Sequence, residues 1–277
     1  MKAVPFALAA LLAPVLWSGG ATAGEPARLA PHRAVYDLAL AKSAGSRNVE
    51  SASGRIAFDF TGDACVGYTL KYRQVTVLES GETGAKTSDL RTATFEDGDG
   101  GIFRFRTDSE LEGAKKDSVE GEAERRGEAG VAVRLKQPQR DGFTLDGDIL
   151  FPSAHMKRLI EAARAGETTL TIKVFDGSED GRKVYDTLAV IGRRIEPGNV
   201  GALEAAAHQE GLAKLVRWPV TLSYFTAGEG ERTPVYVLSF DMYDNGVSRA
   251  LLLDYGDFAL KGEMKTLDLL PESACQR

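Results

Sequence analysis

Two cysteines and three histidines in 277 residues leave little material for a metal centre. Cys65, Cys275, His32, His155 and His208 are scattered along the chain, whereas a zinc site needs three or four converging ligands. Catalytic signatures are missing as well. The chain holds no G-x-S-x-G elbow, no H-E-x-x-H, no G-x-x-x-x-G-K-[ST] and no G-x-G-x-x-G after a strand. Asp97 to Gly101 resembles part of a calcium loop, but it lacks the third spaced carboxylate and the later glutamate; it reads as a turn, as does Asp176 to Gly181. Glu120 and Glu122 fall in a charged, solvated stretch, and His32, ahead of the first strand, has no nucleophile nearby. The expectation is a protein without catalytic residues, metal or cofactor.

Positive charge is also short. The opening MKAVPFALAALLAPVLWSGGATA has a cation at Lys2, an apolar run from Ala3 to Trp17 and an A-x-A site at Ala21 to Ala23. That is the pattern of a cleaved secretory leader, residues 1–23, too short and wrongly flanked for a membrane span. No cysteine stands at the cleavage point to carry a lipid, and no transmembrane anchor is expected in the mature chain, residues 24–277. Without the leader, 34 cations less Lys2 face 40 carboxylates. Such an acidic chain is poorly suited to nucleic acid or to anionic membranes by charge alone. Export places the two cysteines under oxidising conditions, where they pair by default if geometry permits; two separate buried thiols are the alternative.

No Pro/Ser-rich linker divides the mature chain, which predicts a single domain. Apolar residues recur at every second position: Ile56, Phe58 and Phe60; Val66, Tyr68, Leu70 and Tyr72; Phe103 and Phe105; Leu170, Ile172 and Val174; and on through WPVTLSYF and VYVLSFDMY. Turn signals separate the runs, and Asn245-Gly246 is the strongest, because that dipeptide supplies the positive φ angles of a tight hairpin. One segment departs from this period. In FPSAHMKRLIEAARAGE, Met156, Leu159, Ile160 and Ala163 form a helical stripe, predicting a helix over about 153–165 with Ser153 as its cap and Gly166 as its stop. Ala202 to Leu215 predicts a weaker helix, and the charged stretch 108–130 an exposed hairpin or loop.

The stretches APHRAVYDLAL, RIAFDF, GDACVGYTLKYRQVT, the helical segment, WPVTLSYF and DNGVSRALLLDYGDFALKGEM together resemble the EipB family of alphaproteobacterial envelope-integrity proteins, over residues 30–277. The resemblance implies a periplasmic protein folded as a large antiparallel open barrel or β-spiral, with one central amphipathic helix packed against its concave face. It also implies that Cys65 and Cys275 form an internal disulfide, that no enzymatic activity is present, and that shape is shared with periplasmic carriers of lipids and lipoproteins.

The leading functional expectation is a non-enzymatic role in envelope integrity, with a lipid or other amphiphile held in a partly apolar cavity. Ile56, Phe58, Tyr68, Leu70, Phe103, Phe105, Met156, Leu159, Ile160, Leu222, Tyr224, Tyr236 and Phe240 are the expected lining. The alternative is a scaffold for a periplasmic envelope protein, gripped by a strand edge or the 108–130 stretch. A glycan or lipid hydrolase ranks third.

A Cys65–Cys275 bond would clasp the last strand to the one beginning at Cys65, and one bond has two ends. Cys65→Ser, Cys275→Ser and the double variant are therefore expected to lose the same stability, roughly 2–4 kcal/mol, and to be cut more readily by proteases. Thermal melts with and without reductant check this; a wild type that melts identically when reduced has no such bond.

Overall fold

The computed structural model describes residues 25–272, apart from 45–48, 82–83, 115, 128–129, 200, 202, 229 and 231. The expected leader and Cys275 lie outside the described residues. Cys65 is not a free thiol; its pairing with Cys275 stays an expectation.

The alternating pattern is realised as a single 15-stranded sheet. Eight strands precede the helix: β1 His32–Ser43, β2 Val49–Asp63, β3 Gly67–Ser80, β4 Gly84–Asp97, β5 Ile102–Leu111, β6 Asp117–Arg125, β7 Val131–Gln137 and β8 Asp141–Leu145. After the short β9 Ile149–Leu150 and helix α1 Pro152–Arg164 come β10 Thr169–Val174, β11 Tyr185–Ile191, β12 Arg217–Thr226, β13 Tyr236–Tyr243, β14 Ser248–Asp254 and β15 Phe258–Leu269. The spatial order runs from β8 down to β1, then from β15 down to β9. The chain thus begins in the middle of its sheet, where β1 pairs with β2 on one side and with β15 on the other, His32 opposite Leu269. Every pairing is antiparallel except β9 with β10.

The two edges of the sheet, β8 and β9, are neighbours in sequence but not in hydrogen bonding, which makes the barrel open. Side chains bridge the seam. The guanidinium of Arg182 holds Asp141 and lies 4.8 Å over the ring of Phe143, and Arg125 reaches Asp148 at 3.0 Å. Behind them the interior is plugged by aromatics: Phe103 and Phe105 stack, and Phe151 and Phe175 close around them, all at most 2% exposed. Each such ring contributes about 1.5–3 kcal/mol by its removal from water.

The apolar stripe of α1 is buried, as its period demands. Leu159, Ile160, Ala162 and Ala163 pack against Phe60, Tyr68, Ala189, Trp218, Val220, Leu222 and Met242. Its start differs from the sequence expectation. Phe151 occupies the N-cap without a side-chain cap, and Ser153 lies inside the helix. Glu96, at the end of β4, caps it instead, its carboxylate accepting from the backbone N–H of Ser153 at 2.6 Å and of Ala154 at 2.8 Å. Lys157 fastens the same turn by donating to the carbonyl of Gly98. A cap contributed by a distant strand leaves no local sequence signature.

Two other expectations need correction, and a third holds only in part. The 202–215 segment forms only a 3-10 turn, Ala205–Ala207, and one helical turn, α2 Glu210–Ala213. It is held to the sheet by Glu204, which takes Arg249 at 2.5 Å while Arg249 also reaches Asp241 at 2.6 Å. The 108–130 stretch does form a hairpin, β5–β6, one of its two expected forms, but its inward face is buried at Val119 and Ala123; its charges pair across the sheet, as in Arg104–Glu122 and Lys136–Glu120, at about 0.2–1 kcal/mol per pair. And β3 starts at Gly67, not at Cys65, which sits with the exposed Val66 in a turn organised by Asp63. The last strand therefore lies between β1 and β14, not against β3, and these ladders order it whatever the state of Cys65.

Candidate functional site

Where α1 leaves the barrel unfilled, two chambers open in the lumen. One, of about 170 Å³, lies between the start of α1, β2 and β3 and is walled by Leu29, Phe60, Tyr68, Leu70 and Pro152. The other, of about 220 Å³, lies between β1–β3 and β13–β14 and is walled by Tyr36, Ile56, Tyr72, Tyr236, Phe240 and Leu253. His32, Phe58, Met156 and Gly246 belong to both.

The alternation that built the strands aims these side chains inward. His32 and Tyr36 share a face of β1, Ile56 and Phe58 a face of β2, and Leu70 and Tyr72 a face of β3. Met156 comes from the half-buried shoulder of the α1 stripe. The expected Asn-Gly turn completes the wall: Gly246 has φ +83°, and a Cβ there would stand 2.8 Å from Leu29. Glycine thus satisfies both the turn and the close approach.

Of the residues expected to line a cavity, the structure brings Ile56, Phe58, Tyr68, Leu70, Met156, Tyr236 and Phe240 to the chambers. It places the others elsewhere. Phe103 and Phe105 belong to the aromatic plug, and Leu159, Ile160 and Leu222 are sealed beneath the helix. Tyr224 is half-buried in a row of rings that runs from Tyr185 through Tyr224 and Tyr236 to Tyr255, with centroids 5.1–5.9 Å apart. Tyr36, Phe60, Tyr72 and His32 are lining residues that the expected set omits. His32 was discoverable: it is two positions from Ala34 and four from Tyr36, in the same period.

Electrostatically the lumen favours neutral groups. Burial pushes the Tyr36 and Tyr72 hydroxyls well above their usual range. Burial also lowers His32, opposed by its bond with the Ala30 carbonyl, and takes His155 down to about 4. The Glu96 carboxyl is raised by burial, against the helix N–H groups and Lys157. Lys157 Nζ lies 5.3 Å over the ring of Tyr68, a wall of the smaller chamber.

The two larger depressions among the described residues lie outside the lumen. One, of about 430 Å³, sits on the outer face of β1–β5 over Val35, Ala57 and Ala93; of its rim, Arg33 pairs with Asp59, Arg73 and Arg91 with Asp89, and Arg106 with Asp108. Its guanidinium groups are already engaged by carboxylates. The other, of about 610 Å³, runs beside the β10 edge along Leu150, Arg158, Leu170, Ile172 and Lys173. Among the described residues no group of three or more His, Cys, Asp or Glu side chains is arranged to hold a metal, and no helix is long and apolar enough to cross a membrane.

The EipB-like family model matches residues 23–271. The chain is 34% identical over 275 residues to the cell envelope integrity protein EipB of Brucella abortus (strain 2308), covering 97% of this chain and 96% of that one. Its fold matches the crystal structure of a β-barrel-like protein, a domain of unknown function from Brucella abortus. The TM-score is 0.80 at 34% identity, over 88% of this chain and 100% of that one.

The buried imidazole of His155 has a pH consequence. Folded, it titrates near 4; unfolded, near 6.5. The unfolded chain therefore binds the extra proton in that window, and stability is lost as pH falls through it, by up to about 1.4 kcal/mol per pH unit. Denaturant midpoints should drop between neutral pH and about pH 5 in the wild type and drop less in His155→Gln; a wild-type midpoint that ignores pH here counts against the neutral imidazole.

Proposed function

The chain belongs to the EipB-like family, and from that membership we propose a non-enzymatic role in maintaining the cell envelope, exercised from the periplasm by sheltering the apolar chain of an amphiphile in the lumen. One observation carries the reading: two apolar chambers share walls where the α1 stripe ends, so the barrel is plugged at one end and hollow beside its helix. Together they reach the lower part of the ~300–1000 Å³ range of small-molecule sites. The leader-like start and the name of the Brucella relative support the compartment and the process.

Met156 borders both chambers and is only half-buried, so a larger side chain there occupies the lumen while the buried stripe residues Leu159, Ile160 and Ala163 keep their packing. Met156→Trp should keep the wild-type melt and weaken binding of a fluorescent fatty acid at least ~10-fold. Organic extraction of purified protein with mass spectrometry gives the complementary reading. No co-purifying amphiphile and no probe binding would end the proposal.

A second reading, partner binding through a strand edge, has its own observation. β9 covers only Lys173 and Val174 of β10, and the β10–β11 ladder turns the backbone groups of Thr169 and Thr171 toward the open side. The groove beside that edge suits an added strand of a partner protein, paired by backbone hydrogen bonds. Proline lacks the N–H that such pairing needs, while the ladder to β11 does not use the one at Thr171. Thr171→Pro should therefore leave the fold intact and abolish in-cell crosslinking to that partner; crosslinking that survives the change places the contact elsewhere.

A further inference from the structure

His32 stands where the two chambers meet. Its Nδ1 lies 2.8 Å from the carbonyl oxygen of Ala30. A carbonyl only accepts, so Nδ1 carries the proton and Nε2 of the neutral ring is a bare acceptor. The ring is stacked on Phe58 with centroids 5.1 Å apart, which fixes its plane. Among the described residues Nε2 has no hydrogen-bond partner, yet it is not sealed: the one sealed side-chain nitrogen or oxygen lacking a hydrogen bond is Asp59 Oδ1, which is ion-paired with Arg33 at 3.3 Å. Nε2 is thus not shut within protein, and it opens into the cavity. Three of the nearby hydroxyls have partners within the protein. Tyr36 donates to the carbonyl of Ser248, Tyr72 donates to Gln74, and Tyr68 accepts from the N–H of Leu29.

Resting on the lumen reading above, we infer that the preferred ligand is an acyl chain interrupted by one hydrogen-bond donor, a mid-chain hydroxyl, and that His32 is the residue that selects it. Each chamber exceeds the ~150 Å³ that accommodates a benzene ring, enough for about six carbons on either side of the polar joint. A saturated chain drawn through the lumen would cover Nε2 with methylenes and leave a desolvated acceptor without a partner. A hydroxyl at the joint donates to Nε2 and removes that penalty. Sites that hydrogen-bond a substrate group discriminate strongly against the analogue that lacks it.

The test uses the intact protein and three probes: octadecanoic acid, its counterpart with a hydroxyl six carbons from the methyl end, and the methyl ether of that hydroxyl. Calorimetric titration of the wild type should show the hydroxy acid binding about tenfold tighter than octadecanoic acid, and the ether, which cannot donate, losing that advantage. His32→Phe preserves the stacked ring and should bring the two acids to equal affinity. His32→Gln restores an acceptor and should recover part of the preference. Octadecanoic acid bound as tightly as the hydroxy acid, an ether as good as the hydroxyl, or a preference that survives in a folded His32→Phe overturns the role of His32 while leaving the lumen reading intact. Failure of all three probes to bind overturns both. The wild-type comparison of hydroxyl with ether decides the matter even if a His32 variant does not fold.

Discussion

The structure depends on a single long-range ladder, that between the first strand and the last. β1 is hydrogen-bonded along its length to β15, some two hundred residues away, and every other neighbour in the sheet is reached by a short connection, through α1 (β9 to β10) or through the 192–216 segment (β11 to β12). Two meanders, β1–β8 and β10–β15, are thereby fused back to back into one curled surface. The right-handed twist of so wide a sheet brings its edges round toward each other. Closure then fails only at β8 and β9, where ion pairs and one cation–π contact stand in for a ladder.

The curl creates an interior that one thirteen-residue helix cannot fill. The molecule treats its two ends differently. Toward the seam, four phenylalanines and the β10–β11 loop make a solid plug, and Gly177 lies so close to the Phe105 ring that a Cβ would stand 2.4 Å away. Toward β1–β3, large side chains line the wall without meeting across it, and the helix is fastened there by Glu96 and Lys157. Solid and hollow regions thus share one sheet.

Much of this was legible in the sequence. Period-two alternation marked the strands, the Met156, Leu159, Ile160, Ala163 stripe marked the buried face of α1, and Asn245-Gly246 marked the β13–β14 turn. Periodicity reports which face is buried, not whether that burial is against protein or against a void, so Phe103 and Phe58 looked alike although one is in the plug and the other walls the chambers. Tertiary polar contacts were equally silent. Glu96 caps a helix from fifty-seven residues away, and Glu204 draws in a segment whose alanines alone suggested a longer helix. His32 lacks a nucleophile beside it, and only its place in the alternation of β1, opposite Phe60, marks it as a wall of the lumen.

The meeting of His32 with Leu269 has a topological corollary. If the chain were opened between β8 and β9 and its natural ends joined, the strands would follow one another in sequence in the same order as they lie side by side. The native protein is in effect a circular permutation of an uninterrupted ribbon. Nearly all of its pairings are then local, and the entropy of closing the large loop is concentrated in one event, the docking of β15 on β1. In such a topology each half-ribbon is made of local pairings, and the encounter of the two halves is what encloses the chambers.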